Sequence, residues 1–484
     1  MLTRLNVPHI YSPVYSQAYH RISSNSADTS NFKYLFRIYT GVTNTSTYGL
    51  VSTNLVFPQS NSYGEFNPNR ILANYISWDY SPFGTGSTFV NNAPNSLLKY
   101  KIEYGEQIPV SGTNFYFSSI TNNGGYVQYD FVNNPGFAAG DEIKIVKDAT
   151  NNSSYNGWNT ISSISATTGI VTNSIYGVDS TIPESGYTTV WRSVNTGLTF
   201  TGYVLNNSYK HLEGGSNNLN YGSAYSLRNT SSLYLTNRDS YYLYTDQSYT
   251  LSVINTGITQ PYLLMIKGFS GGSQQTLFQY PLSVPANYIR YDFNIGFNNL
   301  KNINYIEGFS LSVQPMVHEG LDYYTVDLTD VTVTQLIERK TIYIRKNCNS
   351  FQRYILAYLN PRGGFDNLYF NFKSKSKIKF DRDVYTKSFN YNYSSSDFGE
   401  QTLSSNYEEL ITVSSDFVKK DSELNLYREL INSPVVYLQD EENQRLIPIQ
   451  IVDKEFKPEK RENGDLFSVQ IEFKYAFKDD IQIN

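Results

Sequence analysis

The stretch Phe32-Lys33-Tyr34-Leu35-Phe36-Arg37-Ile38-Tyr39 decides the class of this fold. Phe32, Tyr34, Phe36 and Ile38 recur at every second position, and a period of two marks an extended strand with one face turned to a core. Leu328 to Ile344 repeats the pattern in LTDVTVTQLIERKTIYI. Between such runs stand turn signals: Asn122-Asn123-Gly124-Gly125, Asn134-Pro135-Gly136, Asn156-Gly157 and Gly214-Gly215. Helical periodicity is almost absent. The chain therefore reads as mainly β, a multidomain series of β-sandwiches with a minor helical element.

Composition points the same way. The 484 residues hold 44 tyrosines and one cysteine, and only 17% of residues are charged. Tyrosine favours strands and gives contact area with a polar tip at little entropic cost, which suits an interaction surface better than a reaction centre. Cys348 alone excludes an internal disulfide framework, so folding in a reducing cytoplasm is expected. Met1 to Ile10 carries one Arg and no apolar run, and no stretch has the roughly 18 consecutive apolar residues of a membrane span. A net charge of −5 argues against a nucleic-acid partner, because phosphate recognition needs a clustered basic field. Protein or glycan partners fit better.

Four domains are expected. Residues 1–114 with 193–245 form an N-terminal β domain, interrupted by a small β-barrel over residues 115–192, where five strands would enclose Ile161, Ile164, Ile170 and Val171. Residues 246–340 have the strand spacing of an Ig-like β-sandwich without its disulfide. Residues 341–484 are more charged and read as a β-rich α+β domain with one short helix near 421–431. There Leu426, Tyr427, Leu430 and Ile431 share a face, Asp421 is placed to cap the start and Pro434 lies just past the end. No repeat with a period of 20 to 50 residues is present.

Candidate chemistry is sparse. Gly268-Phe269-Ser270-Gly271-Gly272 matches the G-x-S-x-G pattern, but a nucleophile elbow needs a helix after it and the following SQQTLFQYPLSV reads as a strand, which favours a hairpin turn. His9, His20, His211 and His318 are scattered without i, i+4 partners, so neither a metal site nor a cofactor is expected. Carboxylate pairs able to serve a glycosidase are Asp327 with Asp330, Asp381 with Asp383, and Glu408 with Glu409, but each could equally be a solvated face, and no catalytic residue is assigned. Lys373, Lys375, Lys377 and Lys379 alternate in KSKSKIK. They read either as the guard of an edge strand or as a seam for an acidic surface on a neighbouring subunit, such as Asp440 to Glu442 or Asp479-Asp480. Trp158 and Trp78 are the aromatic platforms on which a sugar would stack, and either could equally belong to a core.

Several segments carry a resemblance. YSPVYSQAYHRISS, NFKYLFRIYTG, FNPNRILANYIS, YGEQI and SLYLTN, then IRKNCNSFQRYILAYLNPRGGFDNLYFNFKSK, ELINSPVVYLQ and FSVQIEFKYAF, resemble in their order the virion structural proteins of tailed phages infecting Bacteroidetes, the crAss-like and related phages. In that group an N-x-x-G-G-[FW]-[DE] turn leads into an aromatic strand. Asn360, Gly363, Gly364, Phe365 and Asp366 match it here, and Gly363-Gly364 reads as a structural joint. The resemblance implies a non-enzymatic component of the tail or neck without saying which tier. The leading expectation built on it is a chain made in the host cytoplasm that assembles with itself, as a ring or collar in the tail, baseplate or neck, and with other virion proteins. A receptor-binding or fibre protein for host surface glycans is the alternative, with a polysaccharide depolymerase using Asp381 and Asp383 behind it.

Overall fold

Lys33–Gly41 is a strand in which Tyr34, Phe36 and Ile38 are fully buried, as the alternation requires. The structure is a computed structural model. It describes residues 2–8, 10–15, 18–41, 46–85, 89–109, 115–131, 137–147, 157–165, 169–176, 186–206, 234–236, 238–255, 262–282, 289–301, 303–306, 313–330, 336–346, 351–388, 391–396, 399–416, 421–453, 459–460, 467–477 and 479–482. The turn signals at Asn134-Pro135-Gly136 and Gly214-Gly215, together with Asn156, His9, His211 and Cys348, lie outside these residues. The chain is mainly β, built of several sheets with a short helix near its C-terminus. It divides into two compact units: Met1–Trp78 with Pro94–Asn229, and Asp79–Ala93 with Thr230–Asn484.

In the first unit Lys33–Gly41 pairs with Tyr48–Val56 on one side and Leu97–Pro109 on the other. The second partner adds Tyr100, Ile102 and Tyr104 to the same core. Tyr34 fits inside because its hydroxyl finds partners: it donates to the Ser62 carbonyl at 2.6 Å and accepts from the Ser24 amide at 3.0 Å. His20 enters this core from a small sheet of Leu2–Asn6, His20–Ser24 and Tyr63–Phe66.

The sheet continues into a closed ring. Glu142–Lys147, Gly157–Ser165, Gly169–Ile175, Tyr126–Phe131, Phe115–Asn123 and the start of Gly186–Leu205 pair in succession, and Gly186–Leu205 returns to Glu142–Lys147. Among the described residues the barrel has six strands rather than the five expected. One 20-residue strand does two jobs: residues 186–192 close the barrel, and residues 199–205 pair with Leu97–Pro109 across an irregularity after Val194. Phe117, Ile120, Val127, Tyr129, Ile143, Ile161 and Ile170 fill it. Ile164, expected inside, is 37% exposed.

The second unit holds a five-stranded sheet in the order Ser240–Tyr244, Leu336–Arg345, Tyr323–Asp330, Tyr262–Ser270 and Ser273–Leu282. The Leu328 to Ile344 stretch is thus shared between two antiparallel strands, not one. Residues 331–335, VTVTQ, lie outside the described residues, and with neither Gly nor Pro in them the sequence alternation does not separate the two strands. Leu336–Arg345 runs across residue 341, and Ser240–Tyr244 pairs with it in parallel. Val90–Asn92 extends a second sheet through Ile289–Asn294.

The C-terminal sheet runs Phe365–Phe370, Tyr354–Leu359, Val436–Asp440, Arg445–Ile451, Gln470–Tyr475, Glu400–Ser414 and Lys375–Thr386. The helix Asp421–Asn432 covers it with Leu424, Tyr427 and Leu430 against Tyr358, Phe370 and Phe473. Leu426 and Ile431 sit at the margin of the same contact. Truncating Leu430 to Ala would open a cavity costing about 3 kcal/mol.

Candidate interaction surface

Both ends of this C-terminal sheet carry residues singled out in sequence. At one end stands the turn before Phe365–Phe370. Gly363 has φ 88°, a left-handed conformation open to glycine, and its amide donates to the Asn360 carbonyl at 3.0 Å. A Cβ on Gly364 would collide with the Leu235 carbonyl oxygen. Phe365 stacks on Tyr80 with centroids 4.2 Å apart.

Asp366 is buried and fully engaged. Its carboxylate accepts from Tyr249 Oη at 2.8 Å, Thr236 Oγ1 at 3.1 Å and Asn360 Nδ2 at 2.8 Å. Burial first, then the charge of Asp366, holds the Tyr249 hydroxyl well above the usual phenol range. The Gly363 carbonyl accepts from the buried Arg290 guanidinium at 2.7 Å, and that guanidinium also pairs with Asp292. The turn is therefore a satisfied polar joint. Thr236, Tyr249 and Arg290 had no signal in sequence, because their partners lie some 70 to 130 residues away.

The other end is the ribbon Lys375–Thr386, paired with Glu400–Ser414. All twelve residues of its outer strand are exposed. Lys375, Lys377 and Lys379 lie on one face of this end strand, and Lys373 lies just before it. Asp381 and Asp383 continue the same face, and Asp383 accepts from Ser404 Oγ at 2.8 Å. The opposite face carries Ile378, Phe380 and Val384, 50%, 63% and 58% exposed. Half-buried amphipathic strands put such residues inward; here they face outward.

The remaining candidates are engaged elsewhere. Glu408 pairs with Lys474, and Glu409 accepts from Ser376 Oγ at 2.6 Å. Asp327 is buried between Arg339 and Lys267, while the side chain of Asp330 lies outside the described residues, as do those of Asp479 and Asp480. Asp440 to Glu442 border an open groove of about 930 Å³ that also takes in Asp246, Arg353 and Glu409. Asn443, ahead of Arg445, lowers the Asp440 carboxyl, and burial raises that of Glu441, which accepts from the Ser248 amide at 2.7 Å.

Trp158 is 39% exposed, and the Arg192 guanidinium lies 3.7 Å from its ring centroid, so one face is stacked within the chain. Trp78 is 38% exposed. Ser270 ends a strand and is followed through Gly271 and Gly272, φ 57° and 80°, by another strand, which makes the G-x-S-x-G match a hairpin. His318 Nδ1 accepts from the Gly320 amide at 3.1 Å. His20 is buried among Tyr100, Tyr104 and Phe200; burial first, then Arg4, depresses its pKa to about 3. Among the described residues no group of three or more His, Cys, Asp or Glu is arranged to hold a metal ion, and no helix is long and apolar enough to cross a membrane.

No family model matches the chain, and no curated protein matches it. Among solved structures it is similar to "Phage phi92 endosialidase", at 9% identity and a TM-score of 0.15 over 100% of this chain and 70% of that one. A likeness at that level carries no argument about fold or chemistry.

Proposed function

We propose that the chain is a non-enzymatic structural component of a bacteriophage virion, acting in the tail, baseplate or neck through protein–protein interfaces, with a ring or collar as its assembled form. The observation that carries this reading is the exposed ribbon: a strand whose apolar side chains and outer edge both face outward is built to be covered by another chain. The ordered resemblance of both chain ends to virion proteins supplies the virion part of the reading. Tyrosine-rich β-surfaces suit wet, extensive interfaces of that kind. The glycan-binding alternative has less behind it, because Arg192 already covers one face of Trp158.

Light scattering of the full chain combined with negative-stain imaging tests the proposal. Closed rings, formed alone or with a virion partner, are expected. Monomers at every concentration that also fail to join any particle protein would overturn it.

A further inference from the structure

The ribbon's outer strand has a charge pattern that names its partner. Along one face run Lys375, Lys377 and Lys379 and then Asp381 and Asp383, so the sign changes at Phe380. We propose that two copies of this chain pair antiparallel through the free edge of Lys375–Thr386, about a two-fold axis at Phe380. The inference rests on reading the ribbon as an assembly element and does not need the virion assignment.

The edge is available. Lys375–Thr386 ends the sheet, and among the described residues it pairs only with Glu400–Ser414. The irregularity in that pairing sets Asp383 against Ser404 and Val384 against Thr402, which leaves the extra residue, Leu403, in the inner strand. The outer strand keeps an unbroken row of backbone donors and acceptors, the template that β-augmentation uses.

Charge then selects the register. Facing residues share a face, so charged positions oppose charged positions. Centred on Phe380, antiparallel pairing brings Lys379 opposite Asp381 and Lys377 opposite Asp383, each twice by symmetry, with no like-charge pair. A slip toward the lysines sets Lys379 against its own copy, and a slip the other way sets Asp381 against its own copy.

On the opposite face the same register joins the two Phe380 rings and places Ile378 beside Arg382 of the second copy. Arg382 already lies 5.8 Å from the Phe380 ring centroid, and the Tyr407 ring stands 6.5 Å from Phe380. Two small aromatic patches thereby become one continuous patch, each ring sheltered along its flank by the other. The acidic seam at Asp440 to Glu442 is a poorer match for the lysines, since Asp440 is bonded to Asn443 and Arg445, and Glu441 to Ser248.

Sedimentation velocity on the full chain tests this with two charge reversals, K377D/K379D and D381K/D383K. All four positions are exposed, and unchanged thermal melts verify that both variants fold. The native chain is expected to dimerise with rising concentration, each variant alone to self-associate about tenfold more weakly or worse, and an equimolar mixture to recover dimers, as opposite strands meet. A mixture that stays monomeric overturns the proposal, as does a native chain that never self-associates. Variants that associate like the native chain overturn the self-pairing while leaving the assembly reading of the ribbon intact.

Discussion

Phe365–Phe370 and Lys375–Thr386 follow one another in the chain, yet they stand at opposite ends of the same sheet and meet opposite fates. The first is buried almost throughout, its turn anchored by Arg290 and its carboxylate Asp366 shared by three donors. The second is exposed at every residue. An edge strand can be satisfied from within its own chain or left for another, and this sheet does one at each end. The first kind should govern stability, the second association.

The sharpest way to break that contrast is Asp366→Ala. It strands the Tyr249, Thr236 and Asn360 donors in a buried site and should cost roughly 3–5 kcal/mol in denaturant unfolding, with Asp366→Asn costing about half as much. A loss below about 1 kcal/mol would mean that the joint contributes little.

The first unit extends the same logic through His20, held neutral by burial. Its folded pKa, about 3, lies below the ordinary 6.5, so the unfolded chain binds the proton more readily. The stabilisation is complete above about pH 6.5 and is lost as pH falls toward 3, about 3 kcal/mol between pH 7 and pH 4. His20→Gln should flatten that part of the profile. An unchanged slope would place the sensitivity elsewhere.

Next in size is Gly364→Ala, whose added methyl meets the Leu235 carbonyl and should cost roughly 1–3 kcal/mol, read from the shift of the unfolding midpoint. The smallest change belongs to the ribbon. Phe380→Ser should move stability by less than about 0.5 kcal/mol and yet weaken self-association. A large loss of stability there would erase the distinction between the two edges.

Much of the local structure was legible in sequence, because it depends on near neighbours. The Phe32 to Tyr39 alternation, the helix ending before Pro434 and the turn at Gly271-Gly272 each rest on residues within one element. What stayed hidden depends on remote pairing. No Gly or Pro separates the two strands that share Leu328 to Ile344, and no local pattern ties Arg290 to Gly363. The ribbon shows a limit of a different kind. Its alternation is that of a half-buried strand, and period two says which residues share a face without saying which face is covered.

The strand Gly186–Leu205 has a mechanical consequence. Because one backbone closes the barrel and then crosses into the open sheet, a pull on the barrel passes along a continuous covalent chain. Seven successive residue pairs, Thr199 to Leu205 against Glu103 to Leu97, then resist together in shear instead of opening one at a time. A pull applied between the barrel and the open sheet along this strand therefore loads both sets of pairs, and single-molecule stretching reads whether they give way together.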